Sequence, residues 1–241
     1  MKVHRFFVPP QLLFGRIARF DDPELVKQIG KVLRLRPDEE VMFLDGDGFE
    51  YIAKILKVLK NEIQVEIMKR QANVSEPELK IKLYQALIKK DNFEFALQKC
   101  TEVGVSGFVP VLSERSEKKG LNMPRALRVL KESAEQSGRG IVPELTEILD
   151  YKLALSRAAA RDTPTIIFHP EGEPISSYSP HGRLLALNIF IGPEGGFSDI
   201  EIDMAREFIR NGRPVSIVSL GRLVLRAETA GIVAAGILLN R

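Results

Sequence analysis

Two short segments near the C-terminus place glycines, carboxylates and an arginine at spacings that can hold and polarise a small molecule. The first is Ile191-Gly192-Pro193-Glu194-Gly195-Gly196-Phe197, which follows an apolar run and precedes Ser198-x-x-Glu201, a helix-opening capping box. It therefore reads as a strand-to-helix turn at the carboxyl edge of a sheet, where α/β proteins bind ligands. Glycine there lets the backbone approach a ligand closely. Phosphate is a common guest of such loops, yet a Walker-type loop needs Lys then Ser or Thr after its last glycine, and here Phe197 follows Gly196. Glu194 would repel phosphate, and no G-x-G-x-x-G follows a strand anywhere in the chain. A cofactor carrying positive charge suits the loop better.

The second segment, Ser219-Leu220-Gly221-Arg222-Leu223-Val224-Leu225-Arg226-Ala227-Glu228-Thr229-Ala230, also leaves a strand and enters a helix. Its leucines can wall an apolar slot of the size adenine needs, while main-chain groups bond the base. Arg226 and Glu228 stand at the helix entrance, where the helix dipole favours the carboxylate. A capped helix with surface charges would carry the same local signature, so these residues alone leave the ligand open. Cys100 has no recognisable base beside it and reads as a buried helical residue rather than a nucleophile.

The rest of the chain must position these segments. With 241 residues, 44% hydrophobic and 28% charged, it is long enough for one large domain or two modest ones. A single cysteine excludes an internal disulfide and a metal site built on several thiolates. No apolar stretch approaches the roughly 18 residues that span a bilayer, and the N-terminus lacks a signal-peptide core, so a soluble, cytoplasmic protein is expected. The net charge of +3 permits a polyanionic partner. In the first 36 residues Lys2, Arg5, Arg16, Arg19, Lys27, Lys31, Arg34 and Arg36 outnumber Asp21, Asp22 and Glu24, which would give salt-dependent contact with phosphates.

Residues 1–72 show short strand-like runs at Val41–Leu44, Phe49–Leu56 and Ile63–Met68, with Asp45-Gly46-Asp47-Gly48 as a hairpin turn. The polar stretch 73–78, ending near Pro77, reads as a linker. Over 79–241, strands at Ile81–Leu87, Thr165–Phe168, Leu185–Ile191 and Val215–Ser219 alternate with helices at Asn92–Val103, Pro124–Gln136, Tyr151–Ala160, Ser198–Asn211 and Ala227–Leu239. That alternation predicts an α/β domain with a parallel sheet.

The two segments, together with His4-Arg5-Phe6-Phe7, Lys31-Val32-Leu33-Arg34-Leu35, Asp45-Gly46, Gln98 to Gly104, Glu114-Arg115-Ser116 and Glu135-Gln136-Ser137-Gly138-Arg139, resemble the RsmE-type ribosomal RNA methyltransferases of the SPOUT superfamily. The likeness spans essentially the whole chain. It departs from the family at Lys90-Asp91, where Gly often precedes the aspartate, and at Arg222, where Pro is frequent. The resemblance implies an N-terminal PUA-like β-barrel and a C-terminal α/β domain whose end is threaded through a trefoil knot, a topology no periodicity argument would reach.

It further implies S-adenosyl-L-methionine held by three loops: Phe168 and His169, the latter by its backbone; Ile191, Gly192, Pro193, Glu194, Gly195 and Gly196; and Ser219, Leu220, Gly221, Leu223 and Leu225. The implied reaction is methylation of N3 of a uridine near the decoding centre of 16S ribosomal RNA, by a homodimer acting on an assembled small subunit. Glu194 and Glu228 are then candidates for the base or for a carboxylate facing the sulfonium, and Arg226 for stabilising the uridine anion. RNA contacts fall to His4, Arg5, Arg16, Lys31, Arg34, Arg115 and Arg139, the last two with a dimer contact as the alternative. A non-catalytic assembly factor and a methyltransferase of transfer RNA or ribose hydroxyls are the rival readings.

Overall fold

The computed structural model describes residues 3–160, 163–179 and 183–240 and divides into two compact units, Met1–Glu76 with Ala134–Val142, and Pro77–Ser133 with Pro143–Arg241. In the first unit, β1 (His4–Phe7), β2 (Ile17–Phe20), α1 (Pro23–Lys27), β3 (Glu40–Leu44), β4 (Phe49–Val58) and β5 (Ile63–Ala72) build a five-stranded sheet in the order β1-β3-β4-β5-β2. Alternation sets its faces: Ala18, Phe20, Ile63 and Val65 are buried, whereas Ile17 and Arg19 face out. The sheet curls on itself. Phe20 on the edge strand β2 stacks on Phe43 of β3 at 4.5 Å, although three strand spacings in a flat sheet would separate them by about 14 Å. The Asp-Gly hairpin forms as expected, with Asp45 Oδ1 accepting from the Asp47 and Phe49 N–H groups and Gly46 and Gly48 at positive φ.

Three features here were not legible. β1 and β2 are four residues each, and α1 is a single five-residue turn, capped by Asp22, that runs on into a π-type turn over Gln28–Val32. Elements this short carry too little periodicity to register. The segment Ala134–Val142 also packs with the first unit, where the sequence places it with the second. Glu135 accepts the Phe7 N–H at 2.8 Å, the Gly138 carbonyl accepts from Asn73 Nδ2 at 3.0 Å, and Arg139 pairs with Glu76 at 2.8 Å.

The second unit comprises β6 (Lys80–Ala86), α2 (Lys90–Val103), β7 (Gly107–Leu112), α3 (Met123–Ser137, its last turn in the first unit), β8 (Glu144–Leu145), β9 (Leu149–Asp150), α4 (Tyr151–Ala159), β10 (Thr165–Pro174), β11 (Ala186–Ile191), α5 (Asp199–Arg210), β12 (Val215–Ser219) and α6 (Ala227–Leu239). Its strands pair in parallel in the order β12-β10-β11-β6-β7-β8. One face, with Tyr84, Val109, Val111, Ile167 and Phe190, packs against α4 and α5. On the other face α6 meets β6 and α2, where Leu83 and Cys100 converge on Gly231. Cys100 is fully buried there, and burial pushes its thiol above the ordinary range, consistent with a packing role. After β12 at the sheet edge the chain doubles back past β10 to lay α6 on β11 and β6.

β10 corrects the strand expected over Thr165–Phe168. It bulges after Phe168 and resumes at Glu173, so that Val218 of β12 lies opposite both. Gly172 permits this, because a Cβ at that position would lie 2.6 Å from the Val218 backbone. Gly172→Ala must part β10 from β12 and is expected to cost about 1–3 kcal/mol, read as a lower urea midpoint with an unchanged slope.

Candidate active site

Because β12, β10, β11 and β6 are successive neighbours in a parallel sheet, the loops leaving their carboxyl ends emerge side by side. Those loops are 220–226, the bulge 169–172, 192–198 and 87–89, so the three segments singled out from the sequence meet along one edge. The glycine loop is a rigid part of that edge. The Gly196 N–H donates to the Pro193 carbonyl at 2.8 Å, and Gly196 itself takes φ +70, a conformation that favours glycine. Phe197 closes the loop downward into the core against Tyr151, with ring centroids 5.1 Å apart.

One carboxylate holds the loop in register. The Ser198/Glu201 capping box forms as read from sequence: the Ser198 N–H donates to Glu201 Oε2 at 2.8 Å and the Glu201 N–H donates to Ser198 Oγ at 3.3 Å. The same buried Glu201 carboxylate also accepts from Ser113 Oγ at 2.9 Å and from the Glu114 N–H at 3.0 Å. It thereby ties the loop after β7 to the start of α5. Next to it, Arg115 donates through Nη1 to the carbonyls of Gly195 and Phe197, at 3.0 and 3.3 Å. Tyr151 donates its hydroxyl to the Glu201 carbonyl at 3.0 Å, and burial, then the nearby Glu201 charge, keep that phenol protonated well above its usual range.

The third loop is built differently. Ser219 Oγ accepts the Gly221 N–H and donates to the Gly221 carbonyl, both at 3.2 Å, and Gly221 takes φ +126. Beyond it Leu223 and Val224 are 83% and 96% exposed, an apolar pair with nothing of this chain covering it among the described residues. Arg226, exposed, occupies the N-cap position of α6 with no side-chain cap. Glu228 lies one step inside the helix and is buried, its Oε2 without a hydrogen-bond partner among the described residues. Gln85, at the end of β6, likewise buries an unpartnered Oε1, 3.1 Å from where a Cβ on Gly231 would stand, one helical turn beyond Glu228. Gln85 escaped the sequence reading. The available signal was a lone amide in the buried run Ile81–Leu87, at the strand's carboxyl end.

Phe168 is buried, and His169 Nδ1 accepts the Glu171 N–H at 3.3 Å, which leaves its ring engaged within the bulge. Glu194 is exposed on its loop. In the first unit Lys31 and Arg34 are exposed at and just after the π-type turn, Arg34 with φ 55, and Arg16 is exposed and paired with Glu66 at 2.6 Å. His4 is half-buried, and Arg5 packs its guanidinium beside Gly138. Lys2 lies outside the described residues. Arg139, expected at an RNA or dimer contact, is instead buried and bonded to Glu76 through both Nε and Nη2; its charge is spent inside the first unit.

Fold and site together define a class: an α/β RNA methyltransferase carrying a PUA domain. The family model described as an RNA methyltransferase domain matches residues 75–239, and that of an RNA methyltransferase PUA domain matches residues 21–68. A ribosomal RNA small subunit methyltransferase E from Mesomycoplasma hyopneumoniae is 31% identical over 74% of this chain and 77% of its own, and its Bacillus subtilis namesake is 29% identical over 88% and 85%. Among solved structures, the Neisseria gonorrhoeae methyltransferase E bound to S-adenosyl methionine superposes with a TM-score of 0.89 at 29% identity, covering 99% of this chain and 98% of that one. A Legionella pneumophila protein in complex with the same cofactor gives 0.87 at 31% identity, covering 99% and 97%. The chain belongs to the ribosomal RNA small subunit methyltransferase E family, the RsmE type whose motifs it carries.

Glu201→Gln keeps one acceptor oxygen where two are used and turns an amide N–H toward a donor. It is expected to lower stability by about 1–3 kcal/mol in urea unfolding. Proteolysis within 192–198 should rise with it, whereas a variant on the outer face of α5, Glu207→Gln, should change neither.

Proposed function

We propose that this chain transfers the methyl group of S-adenosyl-L-methionine to N3 of a uridine in small-subunit ribosomal RNA. The observation that carries the reading is the convergence of the three loops on one sheet edge, with a fixed glycine turn, an exposed apolar pair and two buried acceptors but no lysine in the glycine loop for a phosphate. These fit the cofactor's parts. Backbone groups of 192–196 and 219–225 suit the adenosine, and Leu223 and Leu225 its apolar face. When bound, the cofactor supplies a methyl carbon activated by its sulfonium.

The chain's own contribution is then largely placement, since in-line transfer between two held partners gains most from orientation. Glu194 and Arg226 are both solvent-facing, so they can reach the uridine: Glu194 to take the N3 proton, Arg226 to stabilise the anion left behind. Glu228, sealed from solvent at Oε2, works from behind the third loop as a positioning residue, with Gln85 facing α6 one turn further on. A homodimer is supported by α6, which is apolar on every face, with Ile232, Val233 and Ile237 away from its buried side and Leu223 and Val224 bare just before it. A target near the decoding centre of the assembled subunit, met in the cytoplasm, follows the family resemblance. Among the described residues no helix is long and apolar enough to cross a membrane.

Labelled methyl transfer to undermodified small subunits and to free 16S RNA, with digestion to nucleosides, tests this reading. N3-methyluridine is the expected product. A 2′-O-methyl product, or transfer only to transfer RNA, would reject it, and a folded chain that binds no cofactor by calorimetry would point to an assembly factor. Arg226→Ala and Glu194→Gln should each slow single-turnover transfer by about 100-fold or more, while Glu228→Gln should chiefly weaken cofactor binding.

A further inference from the structure

We propose that Phe14 is a base-stacking residue that docks single-stranded RNA on the first unit, at a point the sequence reading did not mark; the inference rests on RNA being the substrate. Phe14 is 77% exposed. It is presented at the tip of a turn, between a 3-10 turn (Pro10–Leu13) anchored by buried Leu13 and the start of β2. Gly15 makes that tip, with φ +95 and open space where a Cβ would be. Among the described residues the ring is left largely bare, whereas four residues on, at Ala18 of β2, the chain is in the core.

The surroundings select the partner. Ile17 pairs with Glu66, and the Ile67 N–H donates to the Arg16 carbonyl at 2.8 Å, so the tip runs on beside Met68, Lys69 and Arg70 of β5. Those positions are all exposed. Arg16, Lys69 and Arg70 outnumber Glu66, which is already tied to Arg16. Arg70 adds a second flat surface: its guanidinium lies 3.5 Å over the Phe49 ring and its Nε donates to the Tyr51 hydroxyl at 3.0 Å. An exposed ring, a guanidinium fixed on an aromatic, and surplus positive charge on β5 and the turn beside it match an unstacked base on an anionic backbone. Leu12, Ile17 and Met68 widen the exposed apolar surface, which a protein could also use; the flanking cations favour RNA.

The test uses the full-length chain and two short strands of equal length and charge, a single-stranded RNA of mixed sequence and its abasic counterpart. Phe14→Ala is expected to weaken binding to the base-bearing strand about 5- to 100-fold, with little change on the abasic strand and the same salt slope. Phe14→Trp should restore wild-type preference, and Phe14→Leu should not. Equal loss on both strands, no loss with Phe14→Ala, or full recovery with Phe14→Leu would overturn the stacking, and no loss with Phe14→Ala would leave the apolar patch to a protein partner. These outcomes differ from failure of the proposed function, in which the wild-type chain would bind neither strand and methylate no RNA. Phe14→Ala should keep the wild-type circular dichroism and urea midpoint, which shows that the variant is folded.

Discussion

The Glu201 carboxylate accepts from Ser113, Glu114 and Ser198, so a single buried anion joins the loop after β7 to the glycine turn after β11. No cation neutralises it among the described residues. Its charge is met by donors instead, and by the N-terminal end of α5, where the helix dipole favours an anion. Such a group is satisfied only while every donor keeps its place, since an unpaired buried acceptor costs as much as several exposed hydrogen bonds contribute. The glycine turn is thus held by the fold before any ligand arrives. Arg115 adds a clasp from outside on the Gly195 and Phe197 carbonyls, and Tyr151 a prop from below.

Preorganisation of this kind is confined to one side of the edge. The Ser219–Gly221 turn is fixed by a single hydroxyl, and after it Leu223 and Val224 stand free in the isolated chain. The site therefore combines a stiff half, made by β11 and α5, with a half whose apolar residues need another surface to settle on. Cofactor or a second copy would supply that surface, and either would remove the two side chains from water. The orphaned oxygens of Gln85 and Glu228 fall on α6 and the strand beneath it, the helix that this softer half leads into.

Much of the second unit could be read from sequence because its strands are buried on both faces and its helices carry strong end signals. Ser198 with Glu201, Gly104 after α2, and the run Val215–Ser219 fixed boundaries to within a residue or two. β7 escaped, because Pro110 within Gly107–Leu112 argues against a central strand, and the other misses were long-range. A capping box is visible in four residues, but that its carboxylate also serves Ser113 and Glu114, 87 or 88 positions away, requires the fold. The bulge in β10 was hidden because His169-Pro170-Glu171-Gly172 looks like a loop, and only the approach of Val218 shows it to be an interrupted strand. Arg139 sat in an arginine motif that composition reads as surface, yet Glu76 takes its charge. The family resemblance supplied the cofactor and the uridine, neither of which residue chemistry alone could name.

The first unit is completed by nine residues that arrive more than fifty positions after the rest of it, Ala134–Val142, through Glu135, Gly138 and Arg139. Its sheet is closed by its own strands, but the Phe7 N–H and the Glu76 carboxylate find partners in that late segment. A fragment ending at Glu76 would leave a half-buried carboxylate and a strand N–H without these partners. The first unit is consequently not a self-contained cassette: a cut at the linker, as in a gene fusion, separates it from the nine residues that complete it.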